Sequence, residues 1–279
     1  ALFALLLVLA IHSIFLKGGS AGLKFYLLPD FKRMQETGIV ATVVAAMNQS
    51  FFTLSLGIGA MAIFGSYIGK EHSLFGESIR VAALDTFIAF FAGLIIFPAC
   101  SAFGVDAGSG PNLLFITLPN IFNNMAGGRI WGSLFFIFMA FAAFSTVIAV
   151  FETIIACNID LTGRSRKKIA VVNIFIMIIL SLPCALGFNV LSGVQPLGKG
   201  SGILDLEDFL VSNIALPLGS LIYLLFCVSK SGWGWKKFTE EANAGDGAKL
   251  PNWLRFYTTY ILPVIIISIF IIGIKDKFF

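Results

Sequence analysis

The sequence predicts an all-α polytopic membrane protein, and three observations carry that prediction. Of its 279 residues, 58% are hydrophobic and 12% charged, against about 45–50% and about 25% in soluble domains. The apolar residues gather into runs close to the ~20 residues a helix needs to cross a bilayer. None of the runs has the period-two alternation of a membrane-barrel strand, and in lipid only a helix satisfies every N–H and C=O within one segment. The chain therefore reads as a single transmembrane domain over 1–279 with the lipid bilayer as its partner. The formal charge of +4 comes from basic residues lying between apolar runs with no continuous stripe, so nucleic acid is excluded as a partner.

Seven candidate spans follow, at about 1–16, 38–69, 80–104, 130–157, 168–187, 207–229 and 254–274. The first begins at Ala1 with no Met, charged flank or cleavage site, so it reads as a cut helix whose N-terminal neighbours are missing. Arg164-Ser165-Arg166-Lys167-Lys168, in a short loop against the next span, places that loop and the start of the first span in the cytoplasm. Cys100, Cys157, Cys184 and Cys227 lie in or beside spans without metal-ligand spacing and read as free thiols. Two outer loops carry more apolar character than linkers need. Gly18 to Thr37 holds Lys24-Phe25-Tyr26-Leu27-Leu28-Pro29, and 105–129 reads as an extracellular re-entrant hairpin between glycine-rich ends. Trp233-Gly234-Trp235-Lys236-Lys237 reads as an interfacial anchor.

The second span is the most informative. Gly38 to Gly69 is free of charge and would be about 48 Å long as one helix, against a hydrocarbon core near 30 Å. Its middle holds Gln49, Ser50, Thr53, Ser55, Gly57 and Gly59. Glycine costs about 1 kcal/mol in a helix interior and hydroxyls compete for the backbone, so a break is expected here. A broken helix at mid-bilayer frees carbonyls for a hard cation and points a helix N-terminus at an anionic group. The alternative is one long tilted helix whose small residues admit a neighbour.

Asp85 and Glu152 sit deep in spans, where a carboxylate costs about 2.5–3.5 kcal/mol and by default marks an ion or proton path. Their alternative is a structural partner on a neighbouring helix. His12 reads as an interfacial residue. Ala142, Ser145, Thr146, Ala149 and Val150 share a helix face, which suits either oxygen ligands for a sodium-sized ion or a close helix contact. No nucleophile elbow and no His, Cys or carboxylate cluster with metal-ligand spacing is present, so enzyme activity is not expected.

The run Gln49-Ser50-Phe51-Phe52-Thr53-Leu54-Ser55-Leu56-Gly57-Ile58-Gly59, followed by Leu113-Leu114-Phe115-Ile116-Thr117-Leu118-Pro119 and Ala126-Gly127-Gly128, closely resembles the neurotransmitter:sodium symporter family, especially its prokaryotic amino-acid transporters. The resemblance covers nearly the whole chain. It implies the inverted-repeat sodium symporter fold in part, as the family's fifth to eleventh helices with one of them broken.

By matching positions, the resemblance implies that Thr53 is a sodium ligand in the unwound segment, that Ser55 contacts substrate, and that Phe52 is an aromatic lid. Ile58 replaces a bulky aromatic and reshapes the side-chain pocket. Ala142, through its carbonyl, with Ser145 and Thr146 matches the second sodium site, and Thr146 and Val150 also face substrate. Asp85 matches the first-sodium region, where a fixed carboxylate replaces the chloride needed by animal members. Asp208 resembles the acidic half of the outer gate, with Gln49 beside it.

The function implied is sodium-coupled symport of a small hydrophobic or aromatic amino acid by alternating access, with two sodium sites in the intact protein, no organic cofactor and no chloride requirement. The implied location is the plasma membrane, as a multi-pass protein of the bacterial inner membrane. The alternatives are a seven-helix membrane receptor, which needs seven whole helices, and a non-transporting subunit of a membrane assembly.

Overall fold

The computed structural model describes residues 2–104, 115, 118–124 and 127–278. The elements among them are helical: α1 (Leu2–Ile14), α2 (Gly19–Leu27), α3 (Phe31–Thr37), α4 (Ile39–Thr53), α5 (Ala60–Tyr67), α6 (Leu74–Ala102), α7 (Leu118–Asn124), α8 (Gly128–Thr162), α9 (Arg166–Leu186), α10 (Ile203–Phe209), α11 (Leu216–Val228), α12 (Trp235–Ala242), α13 (Leu254–Phe256) and α14 (Leu262–Phe278). Two π-helical turns, Leu210–Ala215 and Tyr257–Ile261, join α10 to α11 and α13 to α14. Among the described residues, five continuous stretches are long and apolar enough to cross a membrane, and α1 with α2 would do so only as a pair bent by 114°. The hairpin expected over 105–129 falls largely on 105–114, 116–117 and 125–126, outside the described residues; α7 occupies Leu118–Asn124.

Both π turns run into a Leu-Pro pair, Leu216-Pro217 and Leu262-Pro263. Proline has no N–H to donate and its ring collides with the carbonyl four residues earlier, so a widened turn before it accommodates both defects. Thr258 Oγ1 donates to the Leu254 carbonyl at 2.7 Å and shields one of the carbonyls at the second turn.

The chain forms two compact units, one of Ala1–Thr37 with Ala83–Ile148 and the other of Gly38–Ala82 with Ala149–Phe279. In the first, Leu6, Leu9 and Ala10 of α1 bury against Leu94 and Ile95 of α6, Leu118 of α7, and Phe135 and Phe138 of α8. Ser13 Oγ donates to the Ile95 carbonyl at 2.5 Å, so the hydroxyl is satisfied where the surroundings are apolar. Close backbone approach seats α2 on α6, since a Cβ on Gly22 would stand 2.1 Å from the Phe97 carbonyl oxygen. Tyr26 stacks on Phe97 at 4.8 Å and His12 on Trp131 at 3.7 Å. The segment read as an apolar outer loop is thus two short helices, α2 and α3.

In the second unit the core is Val44 and Phe51 of α4, Leu216 of α11, and Ile266 and Ile269 of α14. Asn48 Nδ2 donates to Asn213 Oδ1 at 2.9 Å, pairing α4 with the first π turn. The uncharged run is not one long tilted helix: α4 ends at Thr53 and α5 begins at Ala60. Ser73, 1% exposed, donates to the carbonyls of Ala242 and Ala248 and so ties the loop after α12 to the start of α6. In the loop read as an anchor, Trp233 and Trp235 pack on Phe238 at 6.4 and 5.6 Å.

Glu152 of α8 has the partners of a structural carboxylate. Tyr67 at the end of α5 donates to Oε1 at 2.8 Å, and Arg166 at the start of α9 takes both carboxylate oxygens as a fork, with Nη1 at 2.9 Å from Oε1 and Nη2 on Oε2. Two helix ends, those of α5 and α9, are joined to α8 by one carboxylate, in the geometry that suits guanidinium best.

Two stability predictions follow from this packing. Gly57 has φ +86°, and a Cβ there would lie 2.4 Å from the Leu216 carbonyl oxygen, whereas a Cβ on Gly65 of α5 meets nothing within 4 Å. Gly57→Ala is therefore expected to cost about 1–3 kcal/mol, while Gly65→Ala is neutral or stabilising by up to about 1 kcal/mol. Thermal unfolding of both variants in detergent checks this, and equal midpoints would refute the close approach. At the carboxylate, the Arg166 side chain is 60% exposed and that of Glu152 18%. Removing the arginine strands a poorly hydrated charge, whereas removing the acid leaves a hydrated one, so Arg166→Ala is expected to lower the melting temperature further than Glu152→Gln. The reverse order would show that the fork does not hold these helix ends.

Candidate ion and substrate site

The site begins with the break between α4 and α5. Leu54 to Gly59 leave the helix through three residues with positive φ, Ser55 at +50°, Gly57 at +86° and Gly59 at +87°. Ser55 is the one non-glycine residue in that region among the described residues. Such a conformation costs a side-chain-bearing residue about 1–2 kcal/mol and persists only when the surroundings impose it. Here the surroundings are α11. A Cβ on Gly219 would meet the Gly57 carbonyl oxygen at 2.2 Å, and a Cβ on Gly59 would meet the Tyr223 hydroxyl at 2.6 Å. Backbone contact requires glycine at 57 and 219, and the Tyr223 side chain crowds Gly59.

The unwinding leaves donors and acceptors unused. Ser55 N–H bonds to the Phe52 carbonyl at 3.1 Å and Leu56 N–H to that of Phe51 at 2.9 Å, which closes off the end of α4. Among the described residues, the carbonyls of Ser55 and Leu56 accept no backbone hydrogen bond. Free carbonyls suit a hard cation, and the N–H groups opening α5 suit a carboxylate.

The predicted residues divide between the two units. In the second, Gln49, Phe52 and Thr53 lie on the last turn of α4, and Ser55 and Ile58 in the break itself. Phe52 and Ile58 are 52% and 47% exposed, so the phenyl ring and the aliphatic side chain both present apolar surface. Val150 of α8 and Asp208 of α10 belong to this unit too. Asp208 is exposed and accepts a hydrogen bond from Ser212 Oγ at 2.8 Å.

In the first unit, Asp85 stands half-buried on α6. On α8, Ser145 Oγ and Thr146 Oγ1 both turn back to the Ala142 carbonyl, at 2.8 and 3.4 Å. Three oxygens therefore gather within one turn of helix. A hydroxyl that donates to a carbonyl keeps its lone pairs, so the group can present oxygen to a cation without rearranging the backbone. Among the described residues no three His, Cys, Asp or Glu side chains cluster as a metal site. The donors present are carbonyls, hydroxyls and a single carboxylate, the ligand set of a hard cation.

The break also borders a cavity of about 590 Å³ that runs past Ser55, Gly57 and Gly59 to Ser220, Tyr223 and Thr258. Ser220 Oγ is buried there without a hydrogen-bond partner among the described residues. Sequence reasoning missed Gly219, Ser220 and Tyr223. The signal was a Gly-Ser pair and a tyrosine inside an otherwise apolar span, which periodicity alone does not separate from ordinary helix packing.

Comparison with known proteins identifies the family. The family model described as the sodium:neurotransmitter symporter family matches residues 1–277. The uncharacterised sodium-dependent transporter YhdH of Bacillus subtilis is 32% identical over 97% of this chain and 58% of its own length. The human sodium- and chloride-dependent taurine transporter is 26% identical over 98% of this chain and 44% of its own. Among solved structures, MhsT in complex with L-phenylalanine superposes with a TM-score of 0.84 at 37% identity, covering 97% of this chain and 60% of that one. The chain thus spans less than two thirds of the relatives it matches. With its helical spans, the break between α4 and α5 and the match along almost its whole length, the chain belongs to the sodium:neurotransmitter symporter family.

Proposed function

We propose that the protein carrying this chain moves a small hydrophobic or aromatic amino acid across the plasma membrane together with sodium, by alternating access. The observation that carries the proposal is the break at Leu54–Gly59, where positive φ at Ser55, Gly57 and Gly59 exposes backbone polar groups in an apolar span. The N–H groups opening α5 take the substrate carboxylate. Ser55 contacts the substrate, Phe52 covers it, and Ile58, Thr146 and Val150 shape its side-chain pocket.

Two sodium ions travel as cargo. Thr53 and Asp85 serve the first, and the Ala142 carbonyl with Ser145 and Thr146 serves the second. Asp85 supplies a fixed negative charge, so cation binding needs no chloride to balance it. Asp208 and Gln49 line the outer gate. The apolar character of Phe52, Ile58 and Val150 supports a hydrophobic or aromatic substrate, as does the family neighbour crystallised with L-phenylalanine.

The test is binding of a tritiated amino-acid panel to the complete gene product in sodium or potassium buffer, with gluconate replacing chloride in a parallel series. Saturable binding that needs sodium but not chloride is expected. Thr53→Ala and Asp85→Asn should each raise the sodium concentration for half-saturation about tenfold or more, a loss of about 1.4 kcal/mol. Absence of sodium-dependent binding in a folded protein would overturn the proposal in favour of a receptor or an assembly subunit.

A further inference from the structure

The buried stripe of α4 is interrupted by an amide. Val44 and Phe51, 7% and 6% exposed, pack in one core with Leu216, Ile266 and Ile269. Asn48 stands between them, four residues after Val44 and three before Phe51, and so on the same side of the helix. An apolar residue would complete that stripe, whereas a half-buried amide needs a partner. Asn213 in the first π turn is that partner, accepting from Asn48 Nδ2 at 2.9 Å.

The pairing is incomplete. Asn48 Oδ1 is buried and has no hydrogen-bond partner among the described residues. An open buried acceptor offsets much of what the one hydrogen bond contributes, and replacing both members of such a pair by apolar residues is close to neutral. A polar residue in an apolar helix seam fixes register, at some cost in stability. What this pair supplies is therefore the placement of α4 against the π turn.

That placement reaches both sides of the outer gate. Asn48 precedes Gln49 directly and lies one turn, about 6 Å, before Phe52 on the same face of α4. On the other side, Ser212 precedes Asn213 and donates to Asp208 Oδ1 at 2.8 Å. The π turn is one residue wider than an α turn, so Asn213 stands on a face that it would not reach in a regular helix. One amide bond thus joins the helix bearing Gln49 and Phe52 to the turn that holds Asp208.

We infer that Asn48 and Asn213 are positioning residues of the outer gate, their bond setting the register of Gln49 and Phe52 relative to Asp208. The inference rests on the gate proposed above. The experiment is release, in sodium buffer, of the tritiated amino acid that binds tightest in the panel above, chased from the complete gene product with the unlabelled compound, with thermal unfolding alongside. Asn48→Leu/Asn213→Leu is expected to unfold at the wild-type temperature or above and yet to release the amino acid about fivefold faster, equivalent to about 1 kcal/mol. Each single variant should release it as fast as the double one, because the same bond is lost in all three. Asn173→Leu, which removes a buried amide from α9 in the same unit, should leave release unchanged. If a leucine variant does not fold, Asn48→Ser, too short to bridge, provides the same readout. Unchanged release in the folded variants, single effects that multiply in the double variant, or equal acceleration in Asn173→Leu would each overturn the inference and leave the transport reading standing. Absence of sodium-dependent binding by the folded wild type would overturn both.

Discussion

Everything in this structure turns on one constraint: a peptide group surrounded by apolar side chains must find a partner or be held where its lack of one is useful. The break at Leu54–Gly59 is where the chain departs from the helical solution, and α11 makes the departure stable. Gly219 lets the Gly57 carbonyl approach to a distance that any larger residue would prevent. Leu216, 1% exposed, and Phe51, 6% exposed, pack beside it and fix the end of α4. The strain at Ser55 is thus supported by burial on its neighbours, and the unwound segment is a formed feature of the fold.

The same constraint explains the lesser irregularities. Each Leu-Pro pair in a late span deletes a donor, and each is preceded by a π turn that accommodates the ring. The first of these turns carries Asn213, whose Oδ1 accepts from Asn48 on α4. An interhelical amide pair of this kind is worth about 1 kcal/mol in an apolar setting. Its effect is positional, because it ties α4 to the π turn less than two turns before the break. Ser13 and Ser73, both almost fully buried, satisfy carbonyls in the same manner at other helix contacts.

Much of this was legible in the amino-acid order. The apolar runs locate the spans, and Gln49 to Gly59 marks the break, because an uncharged run too long for the bilayer with hydroxyls and glycines at its centre has few ways to fold. That break also removes the seven-whole-helix arrangement a receptor would need. Other features depend on contacts distant in sequence. Nothing near Gly57 announces that Gly219 will lie against it. Glu152 reads locally as an isolated membrane carboxylate, and only the packing of α5, α8 and α9 reveals Tyr67 and Arg166 as its partners. Gly18 to Thr37 reads as a loop because its helices are short, and α2 is secured by Gly22 and Tyr26 against α6, not by its own propensity.

In the proposed transport cycle these same unpaired groups provide the coupling. A ligand shifts a conformational equilibrium only by the difference in its affinity for the two states. At the break, carbonyls of Ser55 and Leu56 without backbone partners gain more from a cation than carbonyls in a closed helix would, and the N–H groups of α5 gain likewise from a carboxylate. Leaving such a group unsatisfied costs about 1–3 kcal/mol, so a few of them supply enough differential binding to favour one conformation decisively. Sodium and substrate then act through the same short segment, each relieving a part of the backbone that the other leaves open. A continuous helix with identical side chains would lack that difference, however tightly it bound either ligand.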